Sequence, residues 1–263
     1  MLIILPPART DAQWKQTSGP GGGPVTALAQ KGDTLYAGTN SGIYLSLDSG
    51  FNWSLRGLTN MLVTFIFVKD DFLFAATSGS GVYRSTNGGA TWVDADSVLP
   101  LAIPTSMISK GNYLFVSFKD SQPYNRSGVF RSSDNGNTWI HLASTSNYIY
   151  YNALAVKDDT IYVAADGLYK SGNNGDTWTK LDVALYTSVI CFAFLDSNIY
   201  VGVDYTKGIF KSSDYGKSWD LILSTSEVTV TSIATNGRII LAGTNGDNLF
   251  GAGLYRSDDK GKT

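Results

Sequence analysis

The stretch that decides the reading is RSSDNGNTW, residues 131–139. A strand-like run, GVFRS, ends on Ser132 and gives way to a polar turn that closes on Trp139. Asp and Asn side chains accept hydrogen bonds from nearby turn amides, and Gly supplies a positive φ without steric cost. Nearly the same phrase recurs along the chain. SLDSGFNW ends at Trp53, STNGGATW at Trp92, SGNNGDTW at Trp178 and SSDYGKSW at Trp219, and SDDKGKT runs to Thr263. All six tryptophans keep the phase: Trp14, Trp53, Trp92, Trp139, Trp178 and Trp219 are separated by 39, 39, 47, 39 and 41 residues. Self-similarity at this period marks an array or a propeller.

The unit that ends at Trp178 shows what is repeated. YNALAV (151–156), TIYVAA (160–165), LYKS (168–171) and TWTKL (177–181) are short apolar or alternating runs, separated by Lys157-Asp158-Asp159, Asp166-Gly167 and the box itself. Such runs between Gly, Asp and Asn turns are strands. Four strands per unit of about 40 residues is the period of a propeller blade. The spacing therefore predicts an all-β fold, a six-bladed β-propeller of four-stranded antiparallel blades. The blades fall at about 25–57, 62–97, 103–144, 151–185, 188–224 and 229–263 of a single domain, 13–263.

Trp14 has the tail of a unit, and the last unit lacks that tail. Residues 11–17 are therefore expected to close the last blade by pairing with the strand around Gly253–Ser257, because an unpaired third strand would bare its amides and carbonyls. Ending within a box also fits a piece of a longer protein. Residues 1–12, with the apolar run Leu2–Leu5 and a loosely signal-like Thr10-Asp11-Ala12, read as a residual signal-like or disordered tail; a basic start and a longer apolar run are missing.

The phrase S-x-D-x-G-x-T-W resembles the Asp-box, or BNR repeat, of sialidases, sortilin-type receptor propellers, xyloglucan-degrading glycoside hydrolases and photosystem II assembly factor-like proteins. The resemblance covers nearly the whole chain and implies a propeller. It does not imply an activity, since enzymes and binding proteins share the motif. It also implies that the boxes lie away from the binding face. Asp48, Asp134 and Asp214 then read as turn acceptors, with Asn87 and Asn173 as uncharged substitutes. Gly50, Gly88, Gly136, Gly175 and Gly216 read as the left-handed positions, and the tryptophans as wedges between blades.

Composition narrows the function classes. The chain has 263 residues, 43% hydrophobic and 16% charged, with a net charge of −2. No basic face is available for phosphates, so nucleic acid is not an expected partner, and no segment is long enough to span a membrane. The single cysteine, Cys191, allows no internal disulfide, and with His141 as the one histidine a zinc-type cluster is not expected. Cys191 falls on a small-residue position of a first strand and reads as a buried inert thiol; His141 reads as exposed on an outer strand. SGPGGGPV (18–25) lacks the Lys-Ser/Thr of a phosphate loop. No cofactor is expected.

Function is expected on loops that elaborate a rigid scaffold. Two connections between second and third strands are long, 118–128 and 244–253, in blades three and six, which face each other across a six-bladed ring. With the inter-blade loop 144–152 they supply the candidate ligand-binding residues Asp120, Tyr124, Arg126, Tyr148, Tyr150, Tyr151, Asn248 and Phe250, joined on the same face by Tyr205 and Glu227 from shorter connections. Aromatic faces interleaved with Asp, Asn and Arg suit sugars or peptides, although Tyr150 and Tyr151 also read as strand-starting packing residues. No catalytic residue is expected. The resemblance to sialidases implies an arginine triad and a Tyr/Glu pair, but the Arg-Ile-Pro signature is absent, and Arg84, Arg131 and Arg256 all occupy one repeat position just before the box serine. The expectation is a secreted, cell-surface or periplasmic monomeric binding scaffold for protein, peptide or glycan. The alternative is a sialidase-like carbohydrate-active propeller.

Overall fold

The structure is a computed structural model that describes residues 16–95, 99–100, 102–119, 127–142, 151–181, 188–204, 208–225, 228–245 and 253–262. Among these there is no helix; the chain folds as six antiparallel sheets in chain order. The first is β1 (Val25–Lys31), β2 (Thr34–Thr39), β3 (Gly42–Ser46) and β4 (Ser54–Gly57). The second is β5 (Val63–Lys69), β6 (Phe72–Thr77), β7 (Gly81–Ser85) and β8 (Val93–Asp94). The third is β9 (Ile103–Lys110), β10 (Tyr113–Lys119), β11 (Gly128–Ser132) and β12 (Ile140–His141), and the fourth β13 (Ala153–Lys157), β14 (Thr160–Ala164), β15 (Leu168–Ser171) and β16 (Thr179–Leu181). The fifth is β17 (Val189–Leu195), β18 (Asn198–Val203), β19 (Ile209–Ser212) and β20 (Asp220–Leu223). The sixth has three strands among the described residues, β21 (Thr229–Thr235), β22 (Ile240–Asn245) and β23 (Leu254–Ser257). Each sheet is a blade, and the first strands β1, β5, β9, β13, β17 and β21 lie against one another in that order.

Local chemistry sets each hairpin. In blades one to five the first and second strands are joined by two-residue loops, as in Lys69↔Phe72 around Asp70-Asp71 and Lys157↔Thr160 around Asp158-Asp159. Such loops match the twist of the strands only when the first loop residue is left-handed. Asp70, Asp158 and Asp196 take this conformation, with φ of 51°, 52° and 54°. The turn residues therefore fix register, and register fixes which side chains face the neighbouring blade.

The second strands are deeply buried, because each has a strand on either side and, in blades two to five, a blade on either face. In β6 only Phe72 is not fully buried, and in β18 only Asn198. The core is divided into clusters at the junctions of successive blades. Tyr36, Ile43, Val63 and Leu73 join blades one and two, and Phe74, Val82, Leu114 and Phe118 join two and three. Phe115, Val129, Leu154 and Ile161 join three and four, Tyr162, Leu168, Ile199 and Val201 join four and five, and Tyr200, Ile209, Val230 and Ile240 join five and six. The outer flanks of the series are more open: Leu28 on β1 and Leu254 on β23 are 70% and 71% exposed.

Candidate functional site

The six boxes all follow the third strand of their blade, so they lie at one end of the strands. In blade three the Ser132 hydroxyl donates to Asp134 Oδ1 at 2.8 Å and accepts from the buried Gly136 amide at 2.8 Å. The same carboxylate accepts from the amides of Thr138 and Asn137 at 2.9 and 3.0 Å and from the Thr138 hydroxyl at 2.7 Å. The pattern recurs around Ser46–Asp48, Ser212–Asp214 and Ser257–Asp259. In the Asn boxes the side-chain oxygen keeps the acceptor role, while Asn87 and Asn173 Nδ2 donate to Thr91 and Thr177 Oγ1 at 2.9 Å.

These bonds consume the carboxylates. Donation by Asn52 and Ser46 holds Asp48 below the ordinary carboxylate range. At Asp134 burial pushes upward, but the Thr138 amide and hydroxyl with Ser132 outweigh it, and Asp214 is lowered chiefly by the hydroxyl and amide of Ser218. Each of these carboxylates is thus engaged by donors of its own turn.

The five expected glycines are all left-handed, and each turn holds a second left-handed residue beside them. Gly88 and Gly89 are both left-handed, but it is the Gly89 amide that donates to Ser85 Oγ at 2.9 Å, as Gly50 does to Ser46. Gly88 instead holds the position of Ser49, Asn135, Asn174, Tyr215 and Lys260, whose φ values of 55–61° show that the turn needs two successive left-handed residues.

Three strand-three cations are tied to the next blade. Arg84 Nη1 donates to Asn135 O at 2.9 Å, Arg131 Nη1 to Asn174 O at 2.6 Å and Asp176 Oδ1 at 2.8 Å, and Lys211 Nζ to Lys260 O at 3.2 Å. A second set was not foreseen. Lys69 and Lys110, each the last residue of a first strand, donate to Asn135 and Asn174 Oδ1 at 2.8 Å. Its signal was the recurrence of Lys at 31, 69, 110 and 157, directly before the hairpin turn. The tryptophans wedge toward the preceding blade: Trp92 packs on the cluster of blades one and two, Trp139 on that of two and three, Trp178 on that of three and four and Trp219 on that of four and five.

The opposite end of the strands carries the connections between second and third strands, since Phe118 pairs with Gly128 there while Ser132 opens the box at the far end. The long loops are rooted on this end. Lys119 and Ser127 flank one, and Thr244 and Gly253 flank the other, joined by a Thr244 amide to Gly253 O bond of 2.9 Å. Asp120, Tyr124, Arg126, Tyr148, Tyr150, Tyr205, Glu227, Asn248 and Phe250 lie outside the described residues. Tyr151 is described, and it is a packing residue: 1% exposed, in the cluster with Phe115, Val129 and Leu154, its carbonyl accepting from Thr105 Oγ1 at 2.6 Å. A ring so enclosed offers no face to a ligand, so the strand-starting alternative describes it. His141 is exposed, with its ring 4.7 Å from that of Phe130. Burial pushes the Cys191 thiol up to about 12, which leaves it protonated and unreactive at neutral pH. Among the described residues no group of three His, Cys, Asp or Glu could hold a metal ion, and no helix is long and apolar enough to cross a membrane.

This geometry is that of a β-propeller, with turn chemistry at one end of the blades and the longer connections at the other. The model of the DUF6242 beta propeller domain matches residues 6–123. No curated protein matches. Solved structures do. The GH74 xyloglucanase from Xanthomonas campestris is 20% identical with a TM-score of 0.71, over 95% of this chain and 46% of that one. YCF48 from Cyanidioschyzon merolae is 16% identical with a TM-score of 0.67, over 96% and 87%, and YCF48 bound to D1 peptide gives 0.68 at 16%, over 93% and 82%. The extracellular domain of BT4673 from B. thetaiotaomicron is 15% identical with a TM-score of 0.72, over 93% and 33%. The chain spans less than half the length of that xyloglucanase and 38% of an ancestral GH74 enzyme. Likeness at these identities establishes the fold, and the fold is shared by enzymes and binding proteins.

Proposed function

We propose that the chain is a non-catalytic, extracytoplasmic binding propeller, part of a larger assembly or longer protein, that takes an extended peptide or a glycan on the loop end of its blades. The observation that carries this reading is the fate of the charged groups. The box carboxylates are saturated by turn donors, and Arg84 and Arg131 are spent on carbonyls of the adjoining blade. The architectural charges thus point away from a converging arginine triad or a retaining carboxylate pair, which would have to stand about 5 Å apart. The likeness to YCF48 bound to D1 peptide and to the extracellular domain of BT4673 supports a binding role. The GH74 likenesses support the alternative, a carbohydrate-active propeller, at the level of fold.

The test is an array of peptides and glycans probed with the purified chain, run beside hydrolysis assays on β-glucans and sialosides. Saturable binding to one ligand class without turnover is the expected result. Turnover of either substrate would reverse the ranking.

A further inference from the structure

The sequence writes Asn-Gly five times, and four of the pairs lie within the described residues: Asn87-Gly88, Asn135-Gly136, Asn174-Gly175 and Asn236-Gly237. An asparagine before glycine can lose ammonia without an enzyme. The glycine amide nitrogen, shielded by no Cβ, attacks the side-chain carbonyl carbon. Ammonia leaves from the side chain, and water opens the cyclic imide to aspartate or isoaspartate. A fold acts on this reaction through three atoms: the attacking nitrogen, the carbonyl oxygen that gathers charge, and the departing nitrogen.

In the box pairs these atoms are held. The buried Gly136 and Gly175 amides donate to Ser132 and Ser171 Oγ at 2.8 Å, and Asn135 and Asn174 Oδ1 accept from Lys69 and Lys110 at 2.8 Å. At Asn87 both ends of the carboxamide are tied. Oδ1 accepts from the Ser85 hydroxyl and the Thr91 amide at 3.0 and 2.9 Å, and Nδ2 donates to Thr91 Oγ1 at 2.9 Å. Asn236 differs. It opens the β21–β22 hairpin, where Thr235↔Ile240 closes four residues instead of the two of blades one to five. Asn236, Gly237 and Arg238 are exposed, as are Asp70-Asp71 and Asp158-Asp159 at the same turn of inner blades, so the exposure does not come from the place of blade six in the series. Among the described residues the Gly237 amide and Asn236 Nδ2 make no hydrogen bond, and a Cβ on Gly237 would meet nothing within 4 Å. Asn236 Oδ1 accepts from the amides of Arg238 and Ile239 at 3.1 and 2.9 Å. Two donors therefore point at the oxygen that becomes an oxyanion on attack, the arrangement that stabilises acyl-transfer intermediates.

We propose that this turn makes Asn236 a site of spontaneous modification, which converts to aspartate and isoaspartate faster than the Asn-Gly pairs of the boxes. Both products add a negative charge, and isoaspartate also lengthens the backbone by one methylene. The added atom falls in the loop closed by the Asn236 amide to Ile239 O bond of 3.3 Å, next to Thr235, whose hydroxyl donates to Phe194 O of blade five at 3.1 Å. Modification thus loosens a tie between blades five and six. This inference stands apart from the proposed function.

The full chain tests it when kept warm in mildly alkaline buffer for weeks, with peptide mapping by mass spectrometry at each Asn-Gly pair. Asn236 is expected to convert at least about tenfold faster than Asn135 or Asn174, a small part of the about 10²–10³-fold that one preorganised oxyanion donor is worth in a dry site. In urea the spread between sites should close. The isoaspartate fraction should melt about 2–4 °C below the fresh chain, as befits one lost tie in a domain of this size, whereas Asn236→Asp, which adds the charge without the backbone atom, should melt close to it. Equal conversion of Asn236 and Asn135 in the folded chain would overturn the proposal. Slower conversion of Asn236 in the folded chain than in urea would overturn it as well.

Discussion

Replacing Ser132 by alanine isolates the interaction on which every blade depends. Ser132 is 1% exposed, and its hydroxyl is the partner of the Gly136 amide at 2.8 Å and a donor to Asp134 at 2.8 Å. Alanine removes both bonds but leaves the strand and the turn residues in place. A buried amide left without a partner costs about 1–3 kcal/mol, because its desolvation is no longer compensated. For a domain of this size each kcal/mol moves Tm by about 2–4 °C, so Ser132→Ala should melt about 2–12 °C lower. Ser133 is its exposed neighbour, and Ser133→Ala should stay within about 0.5 kcal/mol of the parent. Thermal melts and urea titrations of the two variants measure the difference. Ser85, Ser171 and Ser212, each 2% exposed or less with the same glycine partner, should behave like Ser132. Equal melting of Ser132→Ala and Ser133→Ala would refute the claim that the box serine holds the hairpin.

Acid should act through the same turns. Asp48, Asp134 and Asp214 are lowered in the folded chain, so their contribution is complete above the ordinary carboxylate value of about 4 and is lost as pH falls through the lower folded values. Tm should hold down to about pH 5 and decline below it, and Asp134→Asn should flatten part of that decline in a pH series of melts. Gly57→Ala places a Cβ 2.7 Å from Trp92 at a φ of 139° and should cost a few kcal/mol in denaturant unfolding, whereas Gly21→Ala, with nothing within 4 Å, should be silent. Cys191 should resist thiol reagents at pH 8 in the native chain and react once the chain is unfolded; native labelling would contradict its burial.

The sequence made the scaffold legible because one physical unit is written six times. Turn residues that need positive φ, such as Asp158 and Gly136, and apolar runs of fixed length leave few alternatives to a four-stranded blade. Contacts between blades were less legible. That Arg131 is architectural followed from its repeat position, but its partner, Asn174 O, lies 43 residues away and is placed only by the packing of one blade on the next. Tyr151 shows the same limit. A tyrosine at the start of a strand reads equally as a ligand platform or as core, and only the neighbouring Phe115 and Leu154 decide for core. The candidate ligand residues are harder still. Asp120 and Phe250 sit in loops unique to their blades, and no repetition constrains them.

The central claim is that one end of the blades is architecture and the other end binds. Hydrogen exchange of the purified chain, with and without the ligand drawn from the peptide and glycan array, tests it most directly. Protection confined to segments that span 119–127 and 244–253, with the amides of Gly136, Gly175 and Gly216 unchanged, is the predicted result. Ligand-dependent protection centred on the box turns, or consumption of the ligand during the experiment, would contradict it.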